Sequence, residues 1–120
     1  MDATSPKGKN DLLLRLMSAA ETRGRVISAN IANQNTPGYT RREVAFEDTL
    51  RRVLTSGGDP ADVRPEVIED FDTPARPDGN NVNLELELNA LRENRILFET
   101  YAAIMEGRSS LKRIAVSEGR

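Results

Sequence analysis

The apolar periodicity of residues 84–115 constrains this chain more than any other feature. Leu84, Leu88, Leu91, Phe98, Ala102 and Met105 recur at helical spacing and form one line. Leu97, Tyr101, Ile104, Leu111 and Ala115 form a second line beside it. Together they make one broad apolar face on a helix of about 30 residues, about 45 Å long at 1.5 Å per residue. Asn83 is the expected cap. Glu85 and Glu87 stand where the helix dipole favours acids, and Arg108, Lys112 and Arg113 stand near the end that favours cations.

A second stripe precedes it. Leu13, Leu16, Ala20, Ile27 and Ile31 fall at offsets of helical period, predicting a helix of roughly six turns with Asn10 or Asp11 as its cap. Ala19, Ala20 and Gly24 make this stripe slim in the middle, so another helix can approach closely. With 120 residues, 38% of them hydrophobic and none of them tryptophan, the chain has limited capacity to bury a large core. The expected fold class is mainly α: two long amphipathic terminal helices forming an antiparallel coiled-coil-like hairpin, with an extended or disordered polar middle. Such a hairpin leaves the flanks of both stripes for other chains to cover.

The middle reads differently. Residues 56–80 hold four of the six prolines, and seven acids against two arginines. That composition favours a solvated flexible linker, the alternative being a short extended segment around Glu66–Phe71 that pairs with a partner. The resulting division is a flexible tail at 1–10, an N-terminal helix at 11–35, a turn with a short helical or extended segment at 36–55, the linker at 56–80, the C-terminal helix at 81–116 and a tail at 117–120.

Chemistry is sparse. The chain has no cysteine and no histidine, which excludes disulfides, thiolate metal sites and histidine bases. A formal charge of −2 gives no electrostatic ground for nucleic acid. An enzyme reading would have to rest on carboxylates, for instance Glu69, Asp70 and Asp72, and their proline-bounded segment offers no rigid scaffold. No catalytic, metal, cofactor-binding or small-molecule site is therefore expected. Arg41, Arg42, Arg51 and Arg52 interleave with Glu43, Glu47 and Asp48, which predicts a solvated, salt-bridged face rather than a phosphate or lipid site. No stretch has the apolar core of a cleaved signal peptide or the length of a membrane span.

The first helix ends abruptly. Asn30 and Asn33 share one face, Asn35 follows, and Thr36-Pro37-Gly38-Tyr39 predicts a type II turn with Gly38 at positive φ. Capping alone needs one asparagine, not three.

The segment "ANIANQNTPGY", residues 29–39, resembles the N-terminal signature of bacterial flagellar axial proteins, with Asn30, Ile31, Ala32, Asn33, Thr36, Pro37, Gly38 and Tyr39 in place. "RREVAFEDTL" and "DGNNVNLELELNALRENRILFETYAAI" are similar to one proximal-rod branch of the flagellar basal body rod family. Asn83 and Leu88 depart from that branch, which commonly has an acid and a methionine there. A second proximal-rod type fits "LRENRILFETY" less well, and a helical adaptor or secretion chaperone would share the composition.

The resemblance implies a structural subunit of the periplasmic rod in the flagellar basal body. Its terminal helices would pack with other copies and other rod proteins through Leu13, Leu16, Ala20, Ile27, Ile31, Leu84, Leu88, Leu91, Phe98, Tyr101, Ile104, Met105 and Leu111. The implied partners extend to the membrane-ring (MS-ring) protein, a rod-base adaptor and the flagellar type III export gate. Export without a cleaved signal is implied, and Phe46-Glu47-Asp48-Thr49-Leu50 matches the Phe-x-x-x-apolar element of such substrates. The same pair would also staple a short helix as i, i+4 neighbours.

Overall fold

In a computed structural model the chain is described over residues 6–118 and forms an elongated body of 68 × 29 × 13 Å. The order is α1 (Pro6–Ala32), β1 (Arg42–Ala45), α2 (Glu47–Thr55), one turn of 3-10 helix (Pro60–Asp62), β2 (Glu66–Glu69) and α3 (Leu84–Glu118). The two long helices run antiparallel. Asn10 of α1 meets Arg108 of α3, Ala20 meets Asn94, and Asn30 meets Glu87.

The facing residues follow the coiled-coil spacing of alternating threes and fours. Leu13, Met17, Ala20, Gly24, Ile27 and Ile31 form the α1 side. Glu87, Leu91, Asn94, Phe98, Tyr101, Met105 and Arg108 form the α3 side, each buried or half-buried. The slim middle admits Asn94, whose Nδ2 donates to the Ala20 carbonyl at 2.7 Å. A Cβ on Gly24 would lie 3.4 Å from that same nitrogen.

The start of α1 differs from expectation. Asn10 and Asp11 lie inside α1 rather than capping it, because proline is tolerated in a first turn and Pro6 does not stop the helix. Asn10 instead uses its Oδ1 to accept from Arg108 Nε at 2.9 Å. Asn83 does cap α3, its Oδ1 accepting from the Leu86 amide at 3.2 Å. Of the expected tails at 1–10 and 117–120, residues 6–10 and 117–118 are helical, and residues 1–5 and 119–120 lie outside the described residues.

The flexible-linker reading of residues 56–80 is corrected. Glu66–Glu69 is extended and pairs with β1 of its own chain. The pairing is antiparallel, with Arg42 opposite Glu69, Glu43 opposite Ile68, Val44 opposite Val67 and Ala45 opposite Glu66. Prolines and acids made the segment look solvated. Two of them serve the 3-10 turn: Asp59 Oδ1 accepts from the Ala61 amide at 2.9 Å, and Pro60 is buried at its start.

The apolar core is small and lies against the second face of α1. Ala19, Val44, Phe46, Leu50 and Val63 are buried together, with Leu12, Leu16, Val26 and Val53 packed around them. Arg23 fastens this layer by donating to both carboxylate oxygens of Glu47, at 2.7 and 2.8 Å. Thus α1 is covered on two sides, by α3 and by the β1–α2 layer. In contrast, α3 is covered on one. Among the described residues no helix is long and apolar enough to cross a membrane.

Candidate functional site

The helix-ending asparagines organise the wider end of the molecule. Asn30 is in the last turn of α1 and is 0% exposed. Its Oδ1 accepts from the Arg42 amide at 2.9 Å and from the Tyr39 hydroxyl at 3.1 Å. Its Nδ2 donates to the Arg42 carbonyl at 2.8 Å and to Glu87 Oε2 at 3.2 Å. One amide side chain therefore satisfies both backbone groups of a strand residue, as a neighbouring strand would, and ties α1 to β1 and α3 at once.

Asn33 and Asn35 have other fates. Asn33 Nδ2 donates back to the Ala29 carbonyl at 2.8 Å, while its Oδ1 accepts from the Thr36 hydroxyl at 3.1 Å. Asn35 is exposed. Tyr39 N–H donates to the Thr36 carbonyl at 3.2 Å and Gly38 has φ +75°, the type II turn the sequence predicts. That turn meets a second one from residues 76–79. Gly38 N–H donates to the Asp78 carbonyl at 2.8 Å, and a Cβ on Gly79, whose φ is +86°, would lie 3.1 Å from Gly38 Cα. Glycine is required there on both counts.

Asn80 and Asn81 complete the join. Asn80 is 0% exposed, and its Nδ2 donates to the carbonyls of Asn33 and Thr36 at 2.8 and 2.9 Å. Its Oδ1 accepts from the Val82 amide at 2.8 Å. Asn81 sits where β1 and β2 splay: its Oδ1 accepts from the Arg41 amide at 2.6 Å and its Nδ2 donates to the Asp70 carbonyl at 2.8 Å. Arg76 spans the outside, reaching the carbonyls of Gln34 and Val82.

A charge network lies beneath. Arg41 Nε donates to Glu87 Oε1 at 2.7 Å, and Arg41 Nη1 to Asp70 Oδ2 at 2.6 Å. Glu87 is 2% exposed. Burial works against the Arg41 charge, but the hydrogen bonds to Glu87 and Asp70 outweigh it and hold the guanidinium above its ordinary pKa. The Thr73 hydroxyl, then Arg41, hold the Asp70 carboxyl well below the usual carboxylate range. Asp70 is thereby engaged as a structural anion, accepting also from the Asp72 and Thr73 amides, while Glu69 and Asp72 are exposed.

These positions sort the candidates drawn from the sequence. Leu13, Ala20 and Ile27 are buried, and Leu16, Ile31, Leu91, Phe98, Tyr101 and Met105 are half-buried. Leu84, Leu88, Ile104 and Leu111 are exposed. Phe46 is 1% exposed and packs with Leu50 in the core. The surface arginines separate: Arg41 belongs to the buried network, Arg51 pairs with Asp48 at 3.3 Å, and Glu47 serves Arg23. The solvated, salt-bridged face expected for Arg41 is corrected, since buried Glu87 and Asp70 hold it; sequence reasoning gave no structural role to Asn80 or Asn81 and treated Glu87 as a helix-dipole partner. The 4–3 spacing of Glu87 with Leu91, Asn94 and Phe98 was the available signal that it faces α1.

The arrangement binds helices and turns to one another and exposes an apolar helix face. Comparison with known proteins points the same way. The family described as "Flagella basal body rod protein" matches residues 17–40, the stretch from mid-α1 through the type II turn. The chain is 32% identical to the flagellar basal body rod protein FlgB of Cereibacter sphaeroides, over 75% of this chain and 79% of that protein. It is 29% identical to FlgB of Borrelia hermsii, covering 78% and 84% of the two chains, and 28% identical to FlgB of Escherichia coli, covering 82% and 88%. A helical hairpin closed by its asparagine turn, and a likeness that runs most of the length of these relatives, place the chain in the FlgB family of flagellar basal body rod proteins.

Proposed function

We propose that this chain is a structural subunit of the proximal rod in the flagellar basal body, polymerising through its terminal helices. The observation that carries this reading is the uncovered side of α3. Leu97, Ile104 and Leu111 recur at intervals of seven along one flank of the seam and are exposed. A heptad stripe beside a filled seam is the pattern of a helix meant to sit in a bundle of more than two. The stripe and the surfaces of α1 are not the same patch, so copies joined through them form an open helical array rather than a closed dimer. Such an array suits a drive shaft in the periplasm, with other copies and other rod proteins as lateral neighbours, and the membrane-ring protein and a rod-base adaptor below. The role is structural rather than catalytic.

Export by the flagellar type III gate belongs to the same reading. Phe46 and Leu50 are core residues of the folded subunit, so the Phe-x-x-x-apolar element is legible to a gate only in the unfolded chain. Apolar burial at subunit contacts then offsets the ordering entropy of the helical stems.

Sedimentation velocity with circular dichroism over a concentration series tests the proposal. Dilute protein should show less helix than α1 and α3 contain, and helix content should rise with elongating assemblies or on adding other rod proteins. A fully helical monomer indifferent to concentration and to rod components, or a closed dimer of fixed size, contradicts it.

A further inference from the structure

The two-stranded sheet has one finished edge and one open edge. On the β1 side, Asn30 takes both the N–H and the C=O of Arg42. Those groups therefore point away from β2, and Arg42–Glu69 is a pair without direct ladder bonds. Alternation makes Val44–Val67 another such pair. Val67 and Glu69 must then direct their own N–H and C=O groups outward, and among the described residues nothing bonds them. All four residues of β2 are exposed.

The surroundings are not those of an edge protected only by charge. Val67 is 48% exposed, Ile68 is exposed, and Phe71, just beyond the strand, is 76% exposed. Val67 also borders an open groove of about 270 Å³ whose other walls are Thr22, Arg25, Val26 and Ala29 of α1 and Arg42 of β1. On the opposite face of the sheet stand Glu43, Glu66 and Ile68. A sheet of two strands is below the size that is stable by itself, and exposed edges with apolar neighbours invite a third strand.

We propose that β2 receives an extended segment of a partner protein in which apolar and basic residues alternate. The apolar residues enter the groove over Val67, Val26 and Ala29, where Arg25 and Arg42 exclude further cations. The basic residues emerge on the acidic face beside Glu66 and Glu43. A second copy of β2 fits less well, because antiparallel self-pairing that joins Val67 of one copy to Glu69 of the other sets Glu66 against Asp70, and like charges directly opposed are destabilising. The inference stands apart from the helical polymerisation proposed above.

A labelled peptide of sequence Lys-Val-Lys-Val-Lys-Val-Thr and its charge-reversed Glu counterpart, titrated against the whole chain at low salt, test the proposal. The basic peptide should bind saturably and at least tenfold more tightly than the acidic one, and Glu43→Lys with Glu66→Lys should reverse the order. Hydrogen exchange should slow at least tenfold at the Val67 and Glu69 amides on binding, with the Arg42 amide unchanged. Val67→Pro, which removes an outward N–H that β1 does not use, should weaken binding at least tenfold more than Val67→Ala. Equal binding of both peptides, unaltered exchange at Val67 and Glu69, or self-association through β2 would each overturn it.

Discussion

At the scale of single residues, the molecule relies on amide side chains that stand in for backbone. Asn30 closes the free edge of β1, Asn81 bridges the splayed strands, and Asn80 holds the turn that follows α1. Asn30→Ala leaves the N–H and C=O of Arg42 without their partner beneath α1. At about 1–3 kcal/mol for each buried group left unpaired, the loss should be roughly 3 kcal/mol in a urea melt. Asn30→Asp should do no better near neutral pH, since it sets a second carboxylate beside Glu87. Asp70 gives a pH test. Its folded pKa is depressed, so its contribution is complete above the ordinary carboxyl pKa of about 4 and is lost as pH falls towards the folded value. Wild type should therefore lose stability steeply below about pH 4. Asp70→Asn should be less stable at pH 7 and show a shallower acid limb. Equal acid limbs would show that other carboxylates govern the transition.

At the scale of elements, the α1–α3 seam is polar where coiled coils are usually apolar. Glu87, Asn94 and Arg108 occupy seam positions and each reaches a group on α1: Asn30, the Ala20 carbonyl and Asn10. Polar seam residues fix register at some cost in stability. Asn94 shows the cost most plainly, because its Oδ1 is buried without a hydrogen-bond partner. Asn94→Leu should raise the midpoint of thermal unfolding by an amount equivalent to about 1 kcal/mol. Register would then be freer, visible as altered spacing when paired spin labels on Asn10 and Arg108 are compared with labels in the parent. The helices themselves were legible, for a periodic apolar face is a local property. Which polar residues join that face was harder to read, because the 4–3 spacing of Glu87 and Asn94 with Leu91 and Phe98 is a faint mark beside their polarity until α1 is laid against them.

At the scale of the whole molecule, the chain divides into a bonded head and a bare stem. Residues 30–94 hold the sheet, the turns and the charge network, whereas beyond Met105 most of α3 is exposed. Local stability should follow that division. In the isolated subunit, amides of α3 from about residue 105 onward should exchange at least a hundredfold faster than those near Glu87 and Asn94. Uniform protection along α3 would mean that the stem is stable without neighbours.

By itself the sequence determined the two long helices, the hard stop at Thr36–Tyr39 and the family signature, because helical period, proline φ and glycine turns are fixed within a few residues. Only the tertiary structure decided that residues 56–80 are built rather than loose. Their order depends on Asn30, Arg41, Asn81 and Glu87, which meet across separations of 11 to 57 positions and carry no local mark of the partners they find.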